Sequence, residues 1–224
     1  RRMAQRSLLL DDLNSRFRWA KEADPQFRQQ ATQDQAINML LSPDVQLAFD
    51  LSEEEKTTRK LYGDHVAGQS ALLGRRLTDA GVPLVTVNLS VGDLNCSAGD
   101  NWDTHGNNFG RLKNDLLPPW DRAASALIQD LVDSGRIDDT LVVFLTEFGR
   151  TPKINKNIGR DHWGACQSVV LAGGGIRGGQ VYGASDKIAA YPTKNPVKPE
   201  DVIPTMYHAM GIPPQSLIHD QQNR

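Results

Sequence analysis

Residues Leu141 to Arg150 read LVVFLTEFGR, five apolar side chains followed at once by a polar segment. An uninterrupted apolar run of this length is typical of a central strand that is covered on both faces. Upstream, apolar side chains recur about every four residues from Phe109 to Val132, which predicts a long amphipathic helix ended by Ser134-Gly135. A strand from Val82 to Leu89 is predicted before that helix. Strand, helix, strand is the order of a right-handed parallel crossover, so the sequence predicts a mostly parallel α/β sheet flanked by helices.

Further elements are predicted on both sides of this unit. Downstream they are a strand at Ser168 to Ala172, a short returning strand at Gln180 to Tyr182, and a helix from Pro199 to Met210 that Gly211 ends. The N-terminal third is predicted to be helical. Its helices are marked by Asp24-Pro25, by Ser42-Pro43, by a capping box of Ser52 and Glu55, and by the helical stretch Gln69 to Ala80. With 224 residues, 39% of them hydrophobic, the chain is predicted to form a single α/β domain over residues 1–224.

Charge and hydropathy argue against two classes of partner. The net charge is −2 and there is no run of six like charges, so nucleic acid is not an expected partner. No apolar stretch approaches the roughly 20 residues that a membrane-spanning helix needs. The two cysteines, Cys96 and Cys166, do not settle the redox state or the compartment.

Three short clusters contain the residue types that bind metals. They are Trp102 to Asn107 (WDTHGN), Thr146 to Pro152 (TEFGRTP) and Gly159 to Trp163 (GRDHW). The first two follow predicted strands, and loops at the carboxyl ends of parallel strands meet at one edge of a sheet. We therefore expect a divalent-metal site built from carboxylates and imidazoles, with five candidate ligands: Asp103, His105, Glu147, Asp161 and His162.

This ligand set favours zinc and accepts manganese, whereas calcium prefers more oxygen ligands and no imidazole. Nearby cations suit the oxygens of phosphate or sulfate, which makes Arg150, Arg160 and Lys153 candidate substrate-binding residues. Each cluster also has a purely structural interpretation. These are an Asx turn with an exposed histidine, a Glu147–Arg150 ion pair, and a loop salt bridge beneath Trp163.

Other catalytic motifs are not supported. Gly173 to Gly178 (GGGIRG) matches GxGxxG, but GQVYG follows where a phosphate-binding helix would begin. The chain contains no GxxxxGK[ST], no GxSxG and no CxPxR sequence, so no nucleophile is recognisable.

Several strings, taken together, resemble the DUF1501 family of bacterial sulfatase-like proteins. In order they are YGDHVAGQSALLGRRLTDAGVPLVTVN, WDTHGNNF, DDTLVVFLTEFGRTPKIN, GRDHW, LAGGGIRGGQVYGASD and PEDVIPTMYHAMGI. That family is placed in the alkaline phosphatase-like superfamily, whose members act on phosphate and sulfate esters at one or two metals. The resemblance implies an alkaline phosphatase-like fold and carries over Asp103, His105, Glu147 and His162 as ligands, with Asp161 beside them. Phe148 departs from the pattern, because many relatives carry histidine there.

The resemblance also sets expectations about the intact protein. The chain matches the C-terminal half of a larger domain, whose N-terminal half brings a further aspartate ligand and the nucleophile. We therefore expect self-association or pairing with that segment, and weak turnover by this chain alone. Family members commonly carry an export signal, so the resemblance also implies an exported, periplasmic location. The expected function is metal-dependent hydrolysis of sulfate or phosphate esters. Alternatives are a non-catalytic protein that binds sulfated or phosphorylated polysaccharide, and a structural domain whose polar clusters are ion pairs.

Overall fold

The computed structural model describes residues 37–38, 41–89, 101–213 and 215–216. They fall into two compact units. The smaller unit comprises the described parts of Arg1–Glu55 together with Leu73–Val85, and the larger comprises Lys56–Leu72 with the described parts of Thr86–Arg224. The helix start predicted at Asp24-Pro25 and the first cysteine, Cys96, lie outside the described residues.

The smaller unit is organised around Arg76. Helix α1, Pro43–Phe49, begins at the predicted proline, although Ser42 makes no side-chain capping bond. Arg76 donates to Glu54 at 2.6 Å and to the carbonyls of Leu47 and Ala48 at 2.5 and 3.0 Å. These bonds hold the end of α1 to the C-terminal turns of helix α3, Val66–Asp79.

The predicted capping box of Ser52 and Glu55 was wrong. Ser52 lies inside a 3-10 turn, Leu51–Glu53, and both its backbone N–H and its hydroxyl donate to the carboxylate of Asp50, at 2.9 and 2.6 Å. A carboxylate is a stronger acceptor than a hydroxyl, so Asp50 caps this turn. The next helix, α2, spans Lys56–Tyr62.

The larger unit contains the long helix predicted from Phe109 to Val132, and that prediction is confirmed. The helical run consists of α4 (Asn108–Arg111), a π-helical turn (Leu112–Leu116) and α5 (Leu117–Asp133). Pro118 and Pro119 have no N–H to donate to the preceding turn, and their rings crowd the carbonyls there. The π turn widens the helix at this point and relieves the crowding.

The core of the larger unit lies between α2, the first half of α3 and α5. Its largest fully buried side chains include Tyr62, Leu72, Leu116 and Leu131, and alanines fill the closer contacts between helices. The Tyr62 hydroxyl donates to Asp130 of α5 at 2.8 Å. Trp120 of α5 meets Phe144 edge to face at 5.5 Å, which joins the helical layer to the first strand.

The strands form three two-stranded antiparallel ladders. β1 (Leu141–Phe144) pairs with β4 (Val170–Gly173), β2 (Gly149–Arg150) with β3 (His162–Trp163), and β5 (Ala184–Ser185) with β6 (Pro192–Lys194). Helix α6, Pro199–Ala209, follows and confirms the predicted C-terminal helix. No helix among the described residues is both long and apolar enough to cross a bilayer.

The strand predictions were partly right. The strands at LVVFL and SVVLA are present, but their pairing is antiparallel, because a hairpin rather than a helix connects them and returns the chain in the opposite direction. The segments predicted as strands at Val82 to Leu89 and Gln180 to Tyr182 join no ladder with another described residue. Strand propensity alone does not hold such segments without a partner. No parallel pair occurs among the described strands, and the alkaline phosphatase-like fold stays a prediction.

Candidate metal centre

The β2–β3 hairpin supplies one side of the site. Arg150 pairs with His162 and Gly149 with Trp163, and the Thr151 N–H donates to the Asp161 carbonyl at 2.8 Å. This ladder places Arg150 opposite His162, with Asp161 directly before β3.

The loop that precedes α4 supplies the other side, and backbone hydrogen bonds hold it to the hairpin loop. The N–H of Arg160 donates to the Thr104 carbonyl at 3.1 Å. The N–H groups of Asn107 and Asn108 donate to the carbonyls of Asn157 and Ile158, both at 3.0 Å. The WDTHGN and GRDHW clusters, more than 50 residues apart in sequence, therefore lie side by side.

Three of the predicted ligands converge at this junction: Asp103, His105 and His162. The Oδ1 atom of Asp103 lies 2.9 Å from Nε2 of His105 and 2.9 Å from Nε2 of His162, and the two Nε2 atoms are 3.2 Å apart. Two ligand atoms bound at about 2.0–2.1 Å to one tetrahedral zinc lie about 3.3 Å from each other. The three atoms therefore have nearly the spacing of one face of a zinc coordination sphere.

Hydrogen bonding by His105 gives a second test of whether these residues suit a cation. Its Nδ1 lies 2.7 Å from Oδ1 of Asp161, while its Nε2 faces Asp103. A neutral imidazole carries one N–H, so one of its nitrogens would present a lone pair to a carboxylate oxygen. This repulsive contact is removed when His105 carries a second proton or when a metal ion binds at Nε2. The donor set thus fits a divalent ion, with Asp161 holding the proton on Nδ1.

Hydrogen bonds stabilise both carboxylates in their charged form. The hydrogen bond from His162, followed by that from Arg150, lowers the pKa of Asp103. The hydrogen bonds from His105 and Asn155 lower the pKa of Asp161. The side chains of Asp103, His105 and His162 are 52%, 44% and 49% exposed, so the cluster is open to solvent and to a ligand.

Glu147 does not join the cluster. It lies in an exposed bend between β1 and β2, and the set of close ligand atoms found among the described residues does not include it. The alternative Glu147–Arg150 ion pair is not seen either, because Arg150 pairs with Asp103 through Nη2 at 2.9 Å. Asp161 is not one of the three converging ligands; it is the hydrogen-bond partner of Nδ1 of His105.

The predicted substrate-binding cations take different roles. Arg150 also donates to the carbonyls of Trp102 and Arg160, at 2.9 and 3.3 Å. Arg160 donates to the carbonyls of Thr151 and Pro152, at 2.8 and 3.2 Å, and its guanidinium lies over the Phe109 ring at 5.5 Å. Both arginines therefore hold loops together, while Lys153 is exposed on the hairpin loop.

Two contacts at the site were not anticipated from the sequence. The Phe148 ring packs against His162 with centroids 4.2 Å apart, which fixes one face of that imidazole. Asn155 donates to Asp161 and to the backbone of His105. A polar residue in a polar loop carries no sequence pattern that would distinguish this role.

Comparison with known proteins identifies one family. The family model described as "Protein of unknown function (DUF1501)" matches residues 1–224. Neither a curated protein nor a solved structure matches the chain.

Proposed function

The chain belongs to the DUF1501 family, and from the geometry of its site we propose that it is a metal-dependent hydrolase of sulfate or phosphate esters. Asp103, His105 and His162 would hold the ion, zinc first and manganese second. The observation that carries this proposal is the position of His105 between two carboxylates, at 2.9 Å from Asp103 and 2.7 Å from Asp161. Without a cation at Nε2, a neutral imidazole in this arrangement directs a lone pair at one of the two carboxylate oxygens.

A divalent ion held at this position would supply a Lewis acid for a phosphoryl or sulfuryl oxygen. Asp103 provides negative charge to balance the ion, and Arg150 holds that carboxylate in place through its 2.9 Å bond. Asp161, 2.7 Å from Nδ1 of His105, would keep the proton on that nitrogen, so that Nε2 would face the ion as a lone-pair donor. The charges of Arg150, Arg160 and Lys153 favour an anionic substrate in this open site. No nucleophile is assigned to a residue of this chain.

Phe148 favours a second candidate function, non-catalytic binding of sulfated or phosphorylated polysaccharide. Its ring occupies one face of His162, at a position where the family resemblance leads us to expect a further metal ligand. Metal-dependent turnover of an aryl phosphate or aryl sulfate, even at the weak rate expected of this chain alone, separates the two functions. A hydrolase loses this turnover in Asp103→Ala, whereas a binding protein retains affinity for a sulfated oligosaccharide without turnover.

Calorimetric titration with zinc tests the metal site directly. We expect His162→Ala to lose more than about 100-fold in affinity, because loss of a ligand should exceed the 10–100-fold effect of losing an outer hydrogen-bond partner. Glu147→Gln is the matched control, since it removes an exposed carboxylate from the neighbouring bend and should leave the affinity unchanged. Equal affinity in wild type and His162→Ala would refute the site. Equal weakening in both variants would return Glu147 to the ligand set.

A further inference from the structure

Asn155 makes four hydrogen bonds with one amide group. Its Nδ2 donates to the carbonyl oxygen of His105 and to Oδ1 of Asp161, both at 3.0 Å. Its Oδ1 accepts the backbone N–H groups of Asn157 and Gly159, both at 2.9 Å. The two N–H groups and both lone pairs of the amide are therefore in use.

The two donor contacts reach the two parts of the His105–Asp161 pair. Oδ1 of Asp161 is the same oxygen that lies 2.7 Å from Nδ1 of His105, so the amide fixes the atom that orients the imidazole. The bond to the His105 carbonyl holds the backbone of the same histidine. The two acceptor contacts anchor the amide within its own loop, so its position does not depend on the pair that it holds.

We propose that Asn155 is the positioning residue of the metal centre: it holds Asp161 and the His105 backbone so that Nε2 of His105 faces the ion. This inference rests on the proposed metal site. Asn155 is not bonded to any of the three converging ligand atoms, Oδ1 of Asp103 and Nε2 of His105 and His162, so its effect passes through Asp161 and the His105 backbone.

Replacement by aspartate distinguishes positioning from simple electrostatics. Asn155→Asp preserves the shape of the side chain, but it turns two donors into an oxygen that repels the Asp161 carboxylate and the His105 carbonyl. It also adds negative charge near the site, which by charge alone would strengthen cation binding. Positioning therefore predicts weaker zinc binding and electrostatics predicts stronger binding, so the two explanations give opposite signs.

The matched control is Asn157→Asp, which adds the same charge to an exposed side chain of the same loop and retains the backbone N–H that donates to Asn155. The experiment is zinc titration of the full chain, with near-ultraviolet circular dichroism to verify folding. We expect Asn155→Asp to bind zinc about 10–100-fold more weakly than Asn157→Asp, the range seen when an outer partner of a ligating histidine is lost. Asn155→Ala removes the donors without adding charge and should also weaken zinc binding. It replaces Asn155→Asp in the experiment if the aspartate variant does not fold.

Nitrogen NMR of the His105 ring in metal-free protein gives an independent readout. In wild type we expect a hydrogen-bonded Nδ1–H, and in Asn155→Asp a shifted or lost resonance; Asn157→Asp should match wild type. Equal zinc affinity in Asn155→Asp, Asn155→Ala and Asn157→Asp would overturn the positioning role. If neither the wild type nor any variant binds zinc, the proposed metal site is refuted. In that case, an Nδ1 resonance that changes in Asn155→Asp but not in Asn157→Asp would still support the role of Asn155 in positioning His105.

Discussion

Gly159 lies against the backbone of His105 in the loop that precedes α4, and replacing it by alanine tests how this loop and the hairpin loop are held together. An added Cβ would lie 1.9 Å from the His105 carbonyl oxygen and 2.1 Å from its carbon, whereas contacts under 3.0 Å essentially never occur. One of the two backbones must therefore move by at least about 1 Å, an overpacking that typically costs about 1–3 kcal/mol. Such a movement lengthens the 3.0 Å bond from Asn155 to the same carbonyl beyond hydrogen-bonding range.

Losing that bond adds about 1 kcal/mol, so we expect Gly159→Ala to lower the free energy of unfolding by about 2–4 kcal/mol. Urea unfolding of the metal-free protein measures this loss of stability without a contribution from zinc binding. Gly164→Ala is the matched control, because its added Cβ meets nothing within 4 Å; its effect should stay within about 0.5 kcal/mol. Equal stability and zinc affinity in the two variants would refute the close packing of the loops.

Two further predictions concern the larger unit. Tyr62→Phe removes, from a fully buried ring, the hydroxyl that donates to Asp130. We expect it to lower the free energy of unfolding in urea by about 1.5–3 kcal/mol. Tyr182→Phe is the control, because that ring is 75% exposed and loss of its hydroxyl should have no measurable effect. Burial, followed by the charge of Arg122, lowers the pKa of His65 below its ordinary value of 6.5, so the folded state binds fewer protons than the unfolded state. The stability linked to His65 is then complete above pH 6.5 and falls as the pH drops below 6.5, until the folded pKa is reached. His65→Gln should therefore reduce the dependence of the free energy of unfolding on pH in this range. An unchanged slope of the free energy of unfolding against pH would contradict the argument.

The long helix and the candidate ligand types were predictable because they depend on local patterns. A near-constant spacing of apolar residues from Phe109 to Val132 specifies one buried helical face, and the structure has a helix there. Asp103, His105 and His162 were identified by residue type, since only carboxylates, imidazoles and thiolates commonly bind zinc. The family resemblance is confirmed, while the superfamily fold, the export and the ester substrate remain predictions.

Glu147 shows where the pattern was insufficient. An apolar run such as LVVFL looks the same in a parallel and an antiparallel pair, because side-chain burial does not record the direction of the partner strand. Parallel pairing would have brought the end of this strand to a shared edge with the other clusters. The antiparallel hairpin instead leaves Glu147 in an exposed bend and places Arg150 against Asp103.

The sequence by itself determined which residues could bind a metal and where the long helix lies, because residue chemistry and helical periodicity are properties of short segments. Only the tertiary structure decided which candidates meet. The contact between His105 and Asp161 spans 56 positions and depends on backbone bonds between two loops, on a glycine that leaves room for a carbonyl, and on Asn155. Convergence of this kind is set by packing between distant segments, and no spacing of residues along the chain encodes it.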